Sequence, residues 1–89
     1  MEAARLLDTA GVPYMVGQMN EGACATATII HCALATNPSH CELYGADGIS
    51  NDPVVGLNYE EGLVEVPVGV GTGVQIDLQR TSIVAEYQF

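Results

Sequence analysis

Gly17-Gln18-Met19-Asn20-Glu21-Gly22-Ala23 is the stretch on which the fold turns: an apolar run ends, a polar loop carries one carboxylate, and a helix of small residues begins. Just upstream, Val12-Pro13-Tyr14-Met15-Val16 is apolar, with β-branched and aromatic members, between Gly11 and Gly17. That composition predicts a short strand. The lack of polar alternation predicts burial on both faces, as in a parallel sheet. Downstream, Ala23 to Thr36 is dominated by Ala, Cys, Thr and Ile, and its length suits a helix. Asn20 is placed to cap that helix, and Glu21, in its first turn, meets the positive end of the helix dipole. A carboxylate between the carboxyl end of a strand and the start of a helix stands where α/β proteins build active sites. Glu21 is therefore the first candidate catalytic residue, with Gln18 and Asn20 candidates to line the same mouth. Without a site, Glu21 is an ordinary first-turn acid worth ~0.5 kcal/mol to its helix.

Working outward, Glu2 to Ala10 sets Ala3, Leu6, Leu7 and Ala10 at helical spacing, an apolar stripe predicted to face inward. Gly11 suits the position after a helix end, and Pro13 prevents continuation. On the other side, Asn37-Pro38 breaks the second helix, and Cys41-Glu42-Leu43-Tyr44 reads as a second strand stopped by Gly45. Residues 1–45 thus read helix, strand, helix, strand, the alternation that calls for a parallel sheet. Residues 46–89 form a tail of different character. Its turn signals are Asp47-Gly48, Asn51-Asp52-Pro53 and Gly56; a hairpin is predicted over Leu57 to Pro67, turning at Glu60-Glu61-Gly62. Val74 to Leu78 extends briefly, and Asp77 is placed to cap a last turn at Leu78 to Arg80.

The chain has 89 residues, of which 48% are hydrophobic, which argues against disorder. Its ten glycines give a core little bulk, so the composition suits a fragment of a larger α/β protein. There are 11 acidic residues against Arg5 and Arg80, for a formal net charge of −9. Such a chain repels phosphate backbones and anionic lipid, so neither nucleic acid nor membrane is an expected partner. The absence of lysine removes Schiff-base chemistry from this chain. The start Met1-Glu2-Ala3-Ala4-Arg5 is unlike a signal peptide, and a cytoplasmic location is expected.

Cys24, Cys32 and Cys41 are odd in number and lack CxxC spacing, so they are expected as reduced, buried thiols. His31-Cys32 and His40-Cys41 suggest zinc ligands, but neighbours on a helix point ~100° apart and do not share a metal easily. No residue of this chain is assigned as a metal ligand. Gly69-Val70-Gly71-Thr72-Gly73 lacks the spacing of a phosphate loop and reads as a glycine-dependent turn. Asp47, Asp52, Glu60, Glu61 and Glu65 lack EF-hand spacing and read as a solvated acidic face.

Five short motifs, taken in order, resemble a known family. Gly-Gln-Met-Asn-Glu-Gly with its Ala/Thr-rich helix, Cys-Glu-Leu-Tyr-Gly, Asn-Asp-Pro-Val, Val-Pro, and Gly-Val-Gly-Thr-Gly-Val-Gln-Ile-Asp are similar to the C-terminal end of the mandelate racemase and muconate lactonizing enzyme group of the enolase superfamily. The resemblance implies the last part of a modified TIM barrel, (β/α)7β, followed by a tail returning toward a capping domain. It also implies proton abstraction α to a carboxylate through a Mg2+-stabilised enolate, in a cycloisomerase, racemase or dehydratase acting on a small carboxylate substrate. Glu21 matches the family's glutamate that acts as an acid or hydrogen-bond donor after the seventh strand. The family's metal ligands and bases lie on earlier strands and have no counterpart here, and Met1 falls inside a family helix. A fragment inactive alone is expected, associating with the missing barrel portion or as a homo-oligomer. Gly45-Ala46-Asp47-Gly48 departs from the Gly-Pro-Leu type of sequence in relatives, which leaves the subgroup open. The competing expectation is a non-catalytic α/β fragment that self-associates through its open sheet edge.

Overall fold

The computed structural model describes residues 1–88. Helix α1 (Glu2–Ala10) leads into strand β1 (Met15–Val16), helix α2 (Ala23–Leu34) and strand β2 (His40–Cys41). The first half is therefore the anticipated helix-strand-helix-strand order. Strands β1 and β2 pair in parallel, with Met15 opposite His40 and Val16 opposite Cys41. Backbone bonds from Ser39 N to Tyr14 O and from Glu42 N to Val16 O, both 2.9 Å, extend the pairing by one step at each end. The chain is broadly α/β.

Helix α1 ends as its sequence indicates. Gly11 adopts φ 65°, its N–H donates to Asp8 O, and Val12 N donates to Leu7 O at 2.9 Å. These are the crossed bonds of a Schellman motif, for which glycine carries no Cβ penalty. The stripe of α1, however, is not buried: Leu6 is 66% exposed and no residue of the helix is fully enclosed. Nor are the strands covered on both faces, since Met15 is 58% exposed and both residues of β2 are exposed. A two-stranded sheet with one buried helix has nothing to lay on its other face.

Helix α2 supplies the core. Ala23, Thr26, Ala27 and Ile30, at i, i+3, i+4 and i+7, are its buried residues. Small side chains let the 3-10 turn Gly45–Gly48 and strand β3 (Val54–Val55) approach the helix closely. The three cysteines lie elsewhere: Cys24, Cys32 and Cys41 are all exposed, not buried. Their positions fall on the side of α2 away from its core stripe, and on the uncovered strand.

The tail contains two antiparallel pairs. Strand β3 pairs with β6 (Gln75–Ile76), with Val54 opposite Ile76 and Val55 opposite Gln75; β3 lies in a stretch expected to be loop. Strands β4 (Tyr59–Glu60) and β5 (Leu63–Val64) form the anticipated hairpin. Its two central residues, Glu61 at φ 49° and Gly62 at φ 80°, take the left-handed pair of conformations that matches the twist of a hairpin. Asp77 caps the 3-10 turn Leu78–Arg80, its carboxylate accepting from Gln79 N at 3.0 Å.

The molecule is open. Its accessible surface is 6816 Å², against about 5,000 Å² for a compact monomer of this mass. Its radius of gyration is 15.2 Å, against about 12 Å for a compact chain of this length.

Candidate functional site

The loop between β1 and α2 places all three candidate residues, and it is built differently from its local sequence signals. Asn20 does not cap α2. The N-cap position is Gly22, and no side chain at that position accepts from the helix. The cap comes from the tail: Asp52 Oδ2 accepts from Ala23 N at 2.5 Å, while Asp52 Oδ1 accepts from Val54 N at 2.9 Å. One carboxylate therefore satisfies an orphan donor of α2 and holds its own turn. Glu21 correspondingly lies one residue before the N-cap and not in the first helical turn, which contains no acid. Gly22 packs against Asp52: an added Cβ there would lie 3.1 Å from Oδ2.

Glu21 remains at the carboxyl end of β1, half-buried. Its N–H donates to Met19 O at 2.9 Å, a tight turn that aims the side chain back toward Gln18. Gln18 Nε2 donates to Thr26 Oγ1 at 2.8 Å and approaches Glu21 Oε2 at 3.5 Å and Met19 O at 3.4 Å. Thr26, fully buried, donates its own hydroxyl to Glu21 O at 3.3 Å. Gln18 and Glu21 are thus brought together, whereas the exposed Asn20 lies beside Gly48 at the end of the 3-10 turn.

Two further residues complete this node, and no local sequence signal ties either of them to it. Gly45 is buried, and a Cβ on it would collide with Gln18 Nε2 and the Met19 carbonyl. Only glycine admits the Gln18 amide there. Tyr59, from the tail hairpin, donates its hydroxyl to Leu43 O at 2.8 Å. Burial raises the Tyr59 pKa above 10.0; a hydrogen bond at Ala46 opposes this, the nearby Asp47 carboxylate adds to it, and a contact with Thr26 opposes it. The phenol stays neutral across the physiological range.

A cleft of ≈ 600 Å³ lies on the far side of Tyr59, between residues 41–47 and the hairpin, with Glu42, Asp47, Glu60 and Glu61 on its walls. Glu21 does not line it. On α2, His31 Nε2 lies 3.1 Å from Thr72 O, which fastens the glycine-rich turn to the helix. That turn is glycine-dependent, as its spacing indicates: Gly69, Gly71 and Gly73 all have positive φ.

Among the described residues, no group of three or more His, Cys, Asp or Glu side chains converges on a point that could hold a metal ion. Also among the described residues, no helix is long and apolar enough to cross a membrane. The chain matches no known family model, curated protein or solved structure.

Proposed function

We propose that this chain is the C-terminal part of an enolase-superfamily barrel enzyme of the muconate cycloisomerase and mandelate racemase type. In this reading Glu21 faces the substrate carboxylate or the enolate formed from it. The observation that carries the reading is the placement of Glu21: a half-buried carboxylate in the loop that leads from the first strand to the helix of a parallel strand-helix-strand unit. In an α/β barrel that end of the strands is the catalytic face. The ordered motifs of the sequence agree with that position. The open shape is also in keeping with a piece of something larger, because the uncovered strands and the exposed stripe of α1 are surfaces that neighbouring barrel units would cover.

On this reading the Mg2+ ligands and the bases that remove the α-proton belong to barrel strands outside the chain, and isolated residues 1–89 are inactive. The chain's own share is to present the Glu21 carboxyl group, with Gln18 beside it, toward a small carboxylate.

The test starts with the intact mass of the native polypeptide that contains this sequence. That polypeptide is then assayed for Mg2+-dependent exchange of the α-proton in D2O across a panel of small carboxylic acids. A mass several times 9.3 kDa, with exchange lowered at least ~100-fold by Glu21→Gln, is the expected result. A native mass equal to this chain, or unchanged turnover in Glu21→Gln, refutes it.

A second reading is favoured by the exposed apolar residues on and around β1, Val12 at 47% and Met15 at 58%. In it, the chain self-associates through its uncovered sheet and performs no chemistry. Sedimentation of residues 1–89 as a monomer removes that alternative.

A further inference from the structure

We propose that Gln18 is a positioning residue for Glu21, anchored by Thr26, and not a ligand for substrate. The inference rests on the enzymatic reading above and assigns how its carboxylate is held. Thr26 is 0% exposed and sits in the buried stripe of α2, so its hydroxyl is fixed with the helix. That hydroxyl has one hydrogen, and it points to Glu21 O at 3.3 Å. Toward Gln18 it can therefore only accept, which it does from Nε2 at 2.8 Å. One buried group thus fixes the main chain of Glu21 and the amide of Gln18 together.

The orientation of the Gln18 amide is then determined. Nε2 faces three oxygens: Thr26 Oγ1, the Met19 carbonyl and Glu21 Oε2. Turning the amide over would set Oε1 against the Met19 carbonyl and the Glu21 carboxylate, oxygen against oxygen. The observed orientation persists even though it leaves Gln18 Oε1 enclosed with no partner among the described residues. Gly45 leaves room for the amide on this side, because any Cβ there would strike Gln18 Nε2 and the Met19 carbonyl. With Nε2 committed to Thr26 by its shortest bond, the remaining N–H is shared between the Met19 carbonyl at 3.4 Å and Glu21 Oε2 at 3.5 Å, and so restrains the Glu21 carboxylate.

The experiment uses the native polypeptide carrying this sequence, with Gln18→Met, Thr26→Val, Thr26→Ser and Glu21→Gln variants. Side-chain amide resonances are recorded with 15N-glutamine labelling, and kinetics are measured by α-proton exchange. Glu21→Gln and Thr26→Val should each move the Gln18 NH2 resonances, and Thr26→Ser, which keeps the hydroxyl, should leave them near their wild-type positions. Gln18→Met should lower kcat about tenfold while KM stays within about twofold, since what is lost is orientation of a bound group. Thr26→Ser should restore what Thr26→Val loses. Gln18 resonances unmoved by Glu21→Gln overturn the proposal. So does a Gln18→Met variant whose KM rises with kcat unchanged, because Gln18 then binds substrate. If the wild-type polypeptide exchanges no α-proton yet Glu21→Gln still moves the Gln18 resonances, the enzymatic reading falls and the positioning contact stands.

Discussion

Replacing Asp52 by alanine should loosen the start of α2 even though the two are distant in sequence. Asp52 Oδ2 bonds Ala23 N at 2.5 Å, and no nearer side chain can take its place because the N-cap itself is Gly22. Loss of a side-chain cap costs ~1 kcal/mol, and loss of a negative charge at a helix N-terminus costs a further ~0.3–1 kcal/mol. Removing the Oδ1 bond to Val54 N adds a fraction of the ~1 kcal/mol of an ordinary hydrogen bond. The whole effect is about 2 kcal/mol, and an amide whose opening is eased by that much loses protection about 30-fold. Native-state hydrogen exchange at Ala23 reads it directly, with the amides near the C-terminus of α2 as internal control. Asp52→Asn separates the parts: its carbonyl oxygen can still accept, so only the charge is lost, and protection should fall by a few-fold at most. Unchanged protection at Ala23 in Asp52→Ala would refute the assignment of Asp52 as the cap. Equal losses in the Ala and Asn variants would refute the division between bond and charge.

Gly45→Ala should destabilise the chain by at least ~1–3 kcal/mol, because its Cβ meets the Gln18 amide and the Met19 carbonyl. Urea unfolding followed by circular dichroism measures the loss, and a wild-type midpoint would contradict the packing. Tyr59→Phe should cost ~1 kcal/mol through the lost bond to Leu43 O, measured in the same way. Tyr59 also titrates above 10.0, mainly because it is buried. Because the folded state holds this proton more tightly than the unfolded chain, the stability it contributes is complete below pH 10 and is lost as pH rises through the raised value. Ultraviolet difference titration should show one late-ionising tyrosine that disappears in Tyr59→Phe.

What was legible in the sequence was local. The stripe spacing and Gly11 identify α1 and its end, the Glu61-Gly62 pair identifies the hairpin turn, and Asp77 identifies the final cap, since each depends on residues a few positions apart. The parallel pairing of β1 with β2 was also readable, because the strand-helix-strand alternation leaves few other solutions. Contacts across the chain were not. Asn20 had the right chemistry and place for a helix cap, yet Asp52 reached Ala23 first. No spacing rule connects Gly45 to Gln18, or Tyr59 to Leu43. Cys24, Cys32 and Cys41 are exposed although their type favours interiors, because the enclosed side chains among the described residues lie mainly along one stripe of α2, which none of the three joins. For the candidate site, the sequence located Glu21 and Gln18 in one loop but said nothing of Thr26, the hydroxyl that joins them.

The large exposed surface bears on cooperativity. Unfolded, a chain of this mass exposes about 13,500 Å², so from 6816 Å² it has about a fifth less surface left to uncover than a compact monomer. The denaturant slope and the heat-capacity increment both scale with that newly uncovered surface. Residues 1–89 on their own should therefore unfold along a broader, flatter transition than their length implies. Sharpening of that transition would mark the arrival of whatever covers the strands.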